Sequence, residues 1–196
     1  MALSFSDISI AAEGLGIEPC IIKAVVDVES SGKGFSEDGR IVIQFEGHVF
    51  YAELKKRGFD VSGLTEQYQG TGVIYPRFDR AYVQNQTAEY RQLSQALKIH
   101  DESALLSTSW GLFQIMGFNF RACGFNSVHD FVTAQKESEA NQLTAFCEFV
   151  RSQGHLPYLR KKDWAGFARR YNGPLYAENQ YDTKMQGAYE RCKNSR

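Results

Sequence analysis

Glu29 closes an apolar run, Ala24-Val25-Val26-Asp27-Val28-Glu29, and is followed by Ser30, Ser31 and the glycines Gly32 and Gly34. A helix terminated by those glycines puts the Glu29 carboxyl on its last turn, at the end of a mostly buried element. A carboxyl there loses water and its pKa rises. A carboxylic acid still protonated near neutral pH can serve as a general acid. Taken alone, a Glu-Ser pair reads more simply as an exposed helix end. A second carboxyl, Glu46, comes seventeen positions later. It ends the β-branched run Ile41-Val42-Ile43-Gln44-Phe45-Glu46, which follows the tight-turn signal Asp38-Gly39, so a hairpin is predicted. If Ile41, Ile43 and Phe45 face a core, Gln44 and Glu46 share the opposite face. Glu46 also has two structural readings: capping a helix that begins near Gly47, or pairing with His48. Asp38 is already explained by its turn.

The elements that must position these residues are mostly helical. Ser6 or Asp7 is a candidate cap for a first short helix running to about Gly14–Gly16. Pro19 suits the first turn of a second helix that reaches Glu29 or Ser31, and Ile21, Ile22, Val25, Val26 and Val28 cover more than one of its faces. A helix is predicted from Gly47 to Arg57, stopped by Gly58, then a long surface loop over 58–82 rich in Gly and Tyr. The pattern from Asn85 to Ser107 is helical, and residues 127–153 give two more helices, the second ended by Gly154. Asp163-Trp164 opens another, stopped by Gly173-Pro174, and a last helix takes in Met185, Tyr189 and Cys192. The fold expected is mainly α, a single domain over residues 1–196 with a small β-hairpin region after the second helix.

The chain has 196 residues, 43% hydrophobic and 23% charged, with a formal net charge of −1. That is the composition of a soluble globular domain large enough for its own core. No basic patch argues for nucleic acid, and the near-neutral balance offers no general attraction to anionic polymers or membranes. The start, Met1-Ala2-Leu3-Ser4-Phe5-Ser6-Asp7, lacks the basic and apolar regions of a signal peptide. Synthesis and folding in the cytoplasm are therefore expected. Cys20, Cys123, Cys147 and Cys192 form no CxxC pair, and the four histidines are scattered, so no zinc site is expected. Cys20 and Cys147 sit in apolar patterns and read as buried thiols rather than nucleophiles; disulfides stay open, with a cytoplasmic origin arguing against them.

Three short segments occur in order: Glu29-Ser30, Gly111-Leu112-Phe113-Gln114-Ile115, and Arg170-Tyr171-Asn172-Gly173. Their order resembles the lysozyme-like superfamily. The stretches Val28-Glu29-Ser30 through Phe35, Phe45-Glu46-Gly47-His48-Val49-Phe50 and Ser109-Trp110-Gly111 through Gly117 resemble more closely the N-acetylmuramidase domain of phage-type endolysins. The resemblance spans roughly residues 10–192. It implies an α+β lysozyme-like fold and hydrolysis of a bacterial peptidoglycan glycan strand; many relatives add a separate wall-binding domain, and none is expected here because 196 residues leave no room for one. It also implies a phage endolysin held in the host cytoplasm until released to the periplasm and wall, acting as a monomer without nucleic acid or stable membrane association. The alternatives it leaves are a lytic transglycosylase and a secreted antibacterial effector. Glu29 matches the catalytic acid, and Glu46 the second acid across the cleft, as nucleophile, base or electrostatic partner. Ser30, Gln44, Gln114, Tyr171 and Asn172 are the expected substrate-binding residues, with Gln114 and the backbone near Gly111 under a sugar N-acetyl group and the Tyr171 hydroxyl approaching Glu29. Arg170 replaces the small residue that the transglycosylases carry there. Aromatic residues of the 58–82 loop either stack on sugar rings or anchor the loop. No metal or organic cofactor is expected, because two carboxyls and bound water suffice.

Overall fold

The computed structural model describes residues 3–29, 33–82, 85–173 and 177–195, with the backbone alone at Glu29 and Arg80. Ser30 and Gly32 lie outside the described residues. The chain begins with α1 (Phe5–Leu15). Its cap is Ser4 rather than Ser6 or Asp7. Asp7 is the third residue of a reciprocal capping box, its carboxylate accepting from the Ser4 N–H while the Ser4 hydroxyl accepts from the Asp7 N–H. α2 (Pro19–Glu29) is helical through Glu29, its predicted end at Glu29 or Ser31 bordering residues outside the described ones, and Ile21, Ile22 and Val25 are fully buried. It packs chiefly on α11 (Tyr181–Asn194) and on α1.

The tight turn at Asp38-Gly39 forms, with Gly39 at φ 77°, but the hairpin around it is minimal. Among the described residues, Phe35 and Ile41 form its one bridge. The incoming arm is held at Gly34, whose N–H donates to Glu139 at 2.6 Å while its carbonyl accepts from the Val42 N–H across the hairpin at 2.9 Å. The strand proper, β1 (Ile43–Phe45), pairs antiparallel with β2 (Thr108–Trp110), which turns back into β3 (Ile115–Met116). The predicted two-face alternation holds, with Ile41, Ile43 and Phe45 buried and Gln44 and Glu46 partly open. The outer edge of β1 is covered by α5 (Gln86–Ile99). Gln86 exchanges two hydrogen bonds with the Ile43 backbone, at 2.9 and 2.7 Å, and Glu89 accepts from the Phe45 N–H at 2.7 Å. Side chains thus complete the ladder that an exposed edge would leave unpaired.

α3 (Gly47–Lys56) follows the strand directly. The predicted surface loop over 58–82 is more structured than expected. Asp60 caps a helix, α4 (Val61–Gln67), and Val73, Ile74 and Tyr75 are buried. The single helical stretch from 85 to 107 is two helices, α5 and α6 (Asp101–Leu106). They break at His100, whose extended backbone ends one while its ring nitrogen accepts from Ser103 N–H, 3.1 Å away, to start the next. α7 (Val128–Glu137) and α8 (Glu139–Ser152) lie as predicted. Sequence periodicity misses the short α9 (Leu156–Lys161) before α10 (Trp164–Tyr171). Trp110, Phe131, Phe146, Phe167 and Met185 are buried at the centre of one continuous core.

One expectation about the cysteines fails. Cys20, at the start of α2, is bonded to Cys192, near the end of α11, with Cα atoms 5.5 Å apart. Cys123 and Cys147 are buried free thiols, and burial pushes both up to about 12.

Candidate active site

The face of the sheet that carries Gln44 opens into a cleft of about 400 Å³. The register explains which residues line it. Gln44 lies opposite Ser109, and Ser109 opposite Met116, so one cross-strand row points into the cleft while Ile43, Trp110 and Ile115 form the next row. Glu46 continues the Gln44 face one step beyond the strand. Asn119, Phe149, Tyr171, Asn172 and Tyr181 close the other walls.

Glu46 sits at the hand-over from β1 to α3. Its backbone carbonyl accepts from Val49 and Phe50, both at 2.9 Å, but its side chain makes no capping bond. The capping reading is therefore excluded. Its Oε1 accepts from the Gln44 amide at 2.5 Å. Its Oε2 is buried without a hydrogen-bond partner and faces His48 Nδ1, 3.2 Å away. Burial pushes the Glu46 carboxyl above its ordinary value, and the Gln44 bond offsets this in part. Burial pushes His48 down. A carboxyl whose pKa is raised by burial, set in a cleft, is a group suited to acid–base work.

The turn between β2 and β3 carries Gln114, whose backbone is left-handed at φ 47°, a conformation uncommon outside glycine. Its amide braces the turn. Nε2 donates to the carbonyls of Gly111 at 2.8 Å and Val42 at 3.3 Å, and Oε1 accepts from the Ser109 hydroxyl at 2.8 Å. Gln114 does line the cleft, yet most of its hydrogen-bonding capacity is spent on the protein itself. Gly111 is required twice over: its φ is 69°, and a Cβ there would stand 2.5 Å from the Gln142 side chain. Gln142, fully buried on α8, accepts from the Leu112 N–H at 2.7 Å. Gly34, expected as a helix terminator, has the same use, since a Cβ would meet Gln142 Oε1 at 2.2 Å.

Tyr171, at the end of α10, donates its hydroxyl to the Phe113 carbonyl at 2.9 Å. Its ring lies parallel to Phe167 and edge-on to Phe146 and Phe149. Asn172 is the C-cap of α10 and reaches the same cleft. The expected approach of Tyr171 to Glu29 concerns a side chain outside the described atoms, as does Ser30. What the backbone gives is that α2 is helical through Glu29, and that the Gly34 carbonyl accepts from the Val42 N–H beside the sheet. Sequence reasoning missed Asn119, Phe149 and Tyr181 as cleft residues. Ser109 was legible in principle, since it sits in the quoted motif, but only strand register aligns it with Gln44. The aromatic residues of the 58–82 segment divide. Tyr75 is buried and stacked on Tyr82 at 4.5 Å, anchoring the segment, whereas Phe78 is 55% exposed and edge-on to His48.

The profile of the N-acetylmuramidase family matches residues 18–193. Among solved structures, the chain is similar to a Burkholderia AP3 phage endolysin. The match has 41% sequence identity and a TM-score of 0.90, over 98% of this chain and 72% of that one. No curated protein matches.

Proposed function

This chain belongs to the N-acetylmuramidase family and is a glycoside hydrolase of that type. From that premise we propose that its cleft hydrolyses the β-1,4 bond between N-acetylmuramic acid and N-acetylglucosamine, with Glu29 as the acid and Glu46 as the second carboxyl. Glu29 protonates the glycosidic oxygen as the bond breaks through an oxocarbenium-like state. Glu46 faces the positive charge that develops on the sugar, and Gln44 holds its Oε1 in place. Ser109, Gln114, Asn119 and Asn172 line the cleft with polar groups that suit a sugar, beside Tyr171 and Tyr181. The observation that carries this reading is the Glu46 carboxyl: 13% exposed, held by one amide, free of any capping duty, and lining the cleft. Likeness to a phage endolysin supports a role in lysis of a bacterial host, with release from its cytoplasm to the wall. No helix among the described residues is long and apolar enough to cross a membrane.

The test is mass spectrometry of fragments released from purified peptidoglycan, before and after borohydride reduction. Reducible N-acetylmuramic acid ends are expected. Anhydro ends that resist reduction, or reducible N-acetylglucosamine ends, would overturn the assignment. Glu29→Gln is expected to keep its circular dichroism spectrum and lose activity by about 10²–10⁴-fold. The anomer first released then reports whether Glu46 bonds to the sugar or activates water.

A further inference from the structure

His48 is not among the residues that the resemblance marks out for catalysis, yet its Nδ1 is the nearest basic atom to the free oxygen of Glu46. The two atoms, Glu46 Oε2 and His48 Nδ1, stand 3.2 Å apart and are both buried. Among the described residues neither has a hydrogen-bond partner, and the 3.2 Å contact between them is close without being aligned as a hydrogen bond. Leaving a buried polar atom unmatched costs about 1–3 kcal/mol, and here two such atoms face each other. A single proton between them relieves both.

The surroundings partly cover this pair, leaving the His48 side chain 28% and the Glu46 side chain 13% exposed. Gly47 separates the two residues, and a Cβ there would stand 2.4 Å from the Tyr75 ring and 2.7 Å from the Gly72 carbonyl. The absence of a side chain at 47 is therefore what lets the 68–79 segment fold down over the first turn of α3. Tyr75 then lies against the His48 ring at 6.0 Å, and Phe78 meets it edge-on at 5.4 Å. The titratable groups around the pair are Tyr75, raised to about 12 chiefly by burial, with Glu46, Glu89 of α5 and Asp79 as its acidic neighbours. From β1 the only side chain on Glu46 is Gln44, which donates and cannot accept a proton in exchange.

We propose that His48 is a positioning residue that shares one proton with Glu46, resting on Glu46 Oε2 in the free enzyme and passing to His48 Nδ1 as positive charge develops on the sugar. The Oε2–H bond breaks, the Nδ1 lone pair takes the proton, and Glu46 becomes a carboxylate when an anion is needed. The proton returns when product leaves, so the pair's net charge is unchanged across the transfer. Burial favours the neutral form of each partner, which suits the resting arrangement. The inference rests on the proposed role of Glu46.

The test compares wild type, His48→Asn, His48→Phe and Glu46→Gln on soluble glycan strands across pH. Asparagine can hydrogen-bond near the Nδ1 position but cannot hold the proton. Both His48 variants are expected to lower kcat about tenfold or more near pH 6, with KM little changed, and to recover as pH rises and Glu46 ionises unaided. An unchanged pH profile in both would overturn the inference. A second readout is independent of activity and of any folding defect in the His48 variants: NMR titration of His48 in wild type and in Glu46→Gln. Removing the carboxyl is expected to lower the His48 midpoint by about one unit or more. Identical titrations would overturn the inference, and with an inactive Glu46→Gln they would overturn it alone. Full activity in Glu46→Gln would overturn the role of Glu46 and the inference with it.

Discussion

At Glu46, burial raises the carboxyl above its ordinary value of 4.5 while the Gln44 bond pulls it back. The sign of the consequence for stability follows from linkage. With the folded-state pKa above the unfolded one, ionising Glu46 works against the fold, so its contribution is fully present below the unfolded value and is lost as pH rises through the raised one. Glu46→Gln is therefore expected to match the wild-type melting temperature at low pH and to exceed it increasingly as pH climbs through the raised value. Equal melting temperatures at every pH would mean that burial does not strain this group. The alternation that puts Glu46 on the cleft face is visible in Ile41, Ile43 and Phe45. That its side chain makes no cap is not visible, because Glu before Gly-His-Val is compatible with either arrangement. Gln114 is a similar case. Its residue type suggests a substrate contact, whereas its left-handed backbone and three bonds to the turn exist only in the folded chain.

Among the elements, α8 is the one that sets the spacing of the site. Glu139 holds the Leu3 and Gly34 N–H groups, and Gln142 bridges the Leu112 N–H to the Gln135 carbonyl. Gln142→Ala leaves both of those backbone groups unpaired in a dry interior, and a loss of about 1–3 kcal/mol is expected for an unsatisfied buried group. It reads as a lower urea midpoint with an unchanged slope. Gly111→Ala is expected to be worse still, since it adds a left-handed alanine to a contact of 2.5 Å that only a shift of Gln142 can relieve. If Gly111→Ala melts like wild type, the close approach of turn and helix is not a constraint. The sequence shows α8 as an amphipathic helix through Leu143, Phe146, Cys147 and Val150. It does not show that polar Glu139 and Gln142 are buried too, because periodicity marks apolar faces and cannot tell a paired polar residue inside from a solvated one outside.

Over the whole molecule, the chain's second helix and its last are one unit. Cys20 and Cys192 are 172 positions apart in sequence, and Glu18 beside them takes ion pairs from Lys162 and Lys193, which hold its carboxyl down at about 2. The cleft wall residue Tyr181 begins the same last helix. A bridge closing so long a loop restricts the unfolded chain strongly. Opening it by Cys20→Ser together with Cys192→Ser is expected to lower stability by about 2–5 kcal/mol. Dithiothreitol should shift the wild-type urea midpoint toward that of the double variant and leave the variant itself unmoved. A wild type indifferent to reductant would show that helix packing alone joins the two ends.

Local chemistry determined what the sequence could declare by itself: the caps, the helical periods, the Asp38-Gly39 turn, the two-faced β run, and a glutamate at the end of a buried helix with another seventeen residues on. Each is written within a few neighbouring residues, so it can be read without knowing what else the chain touches. Tertiary structure decided the rest. β1 takes as its partner β2, which lies far along the chain. Cys20 meets Cys192 because α2 and α11 lie side by side. Ser109, Phe149 and Tyr181 become cleft walls, and His48 comes to face a carboxyl under Tyr75. These depend on segments far apart in sequence meeting in a dense interior, where the distance between atoms, and no local pattern, sets what each residue can do.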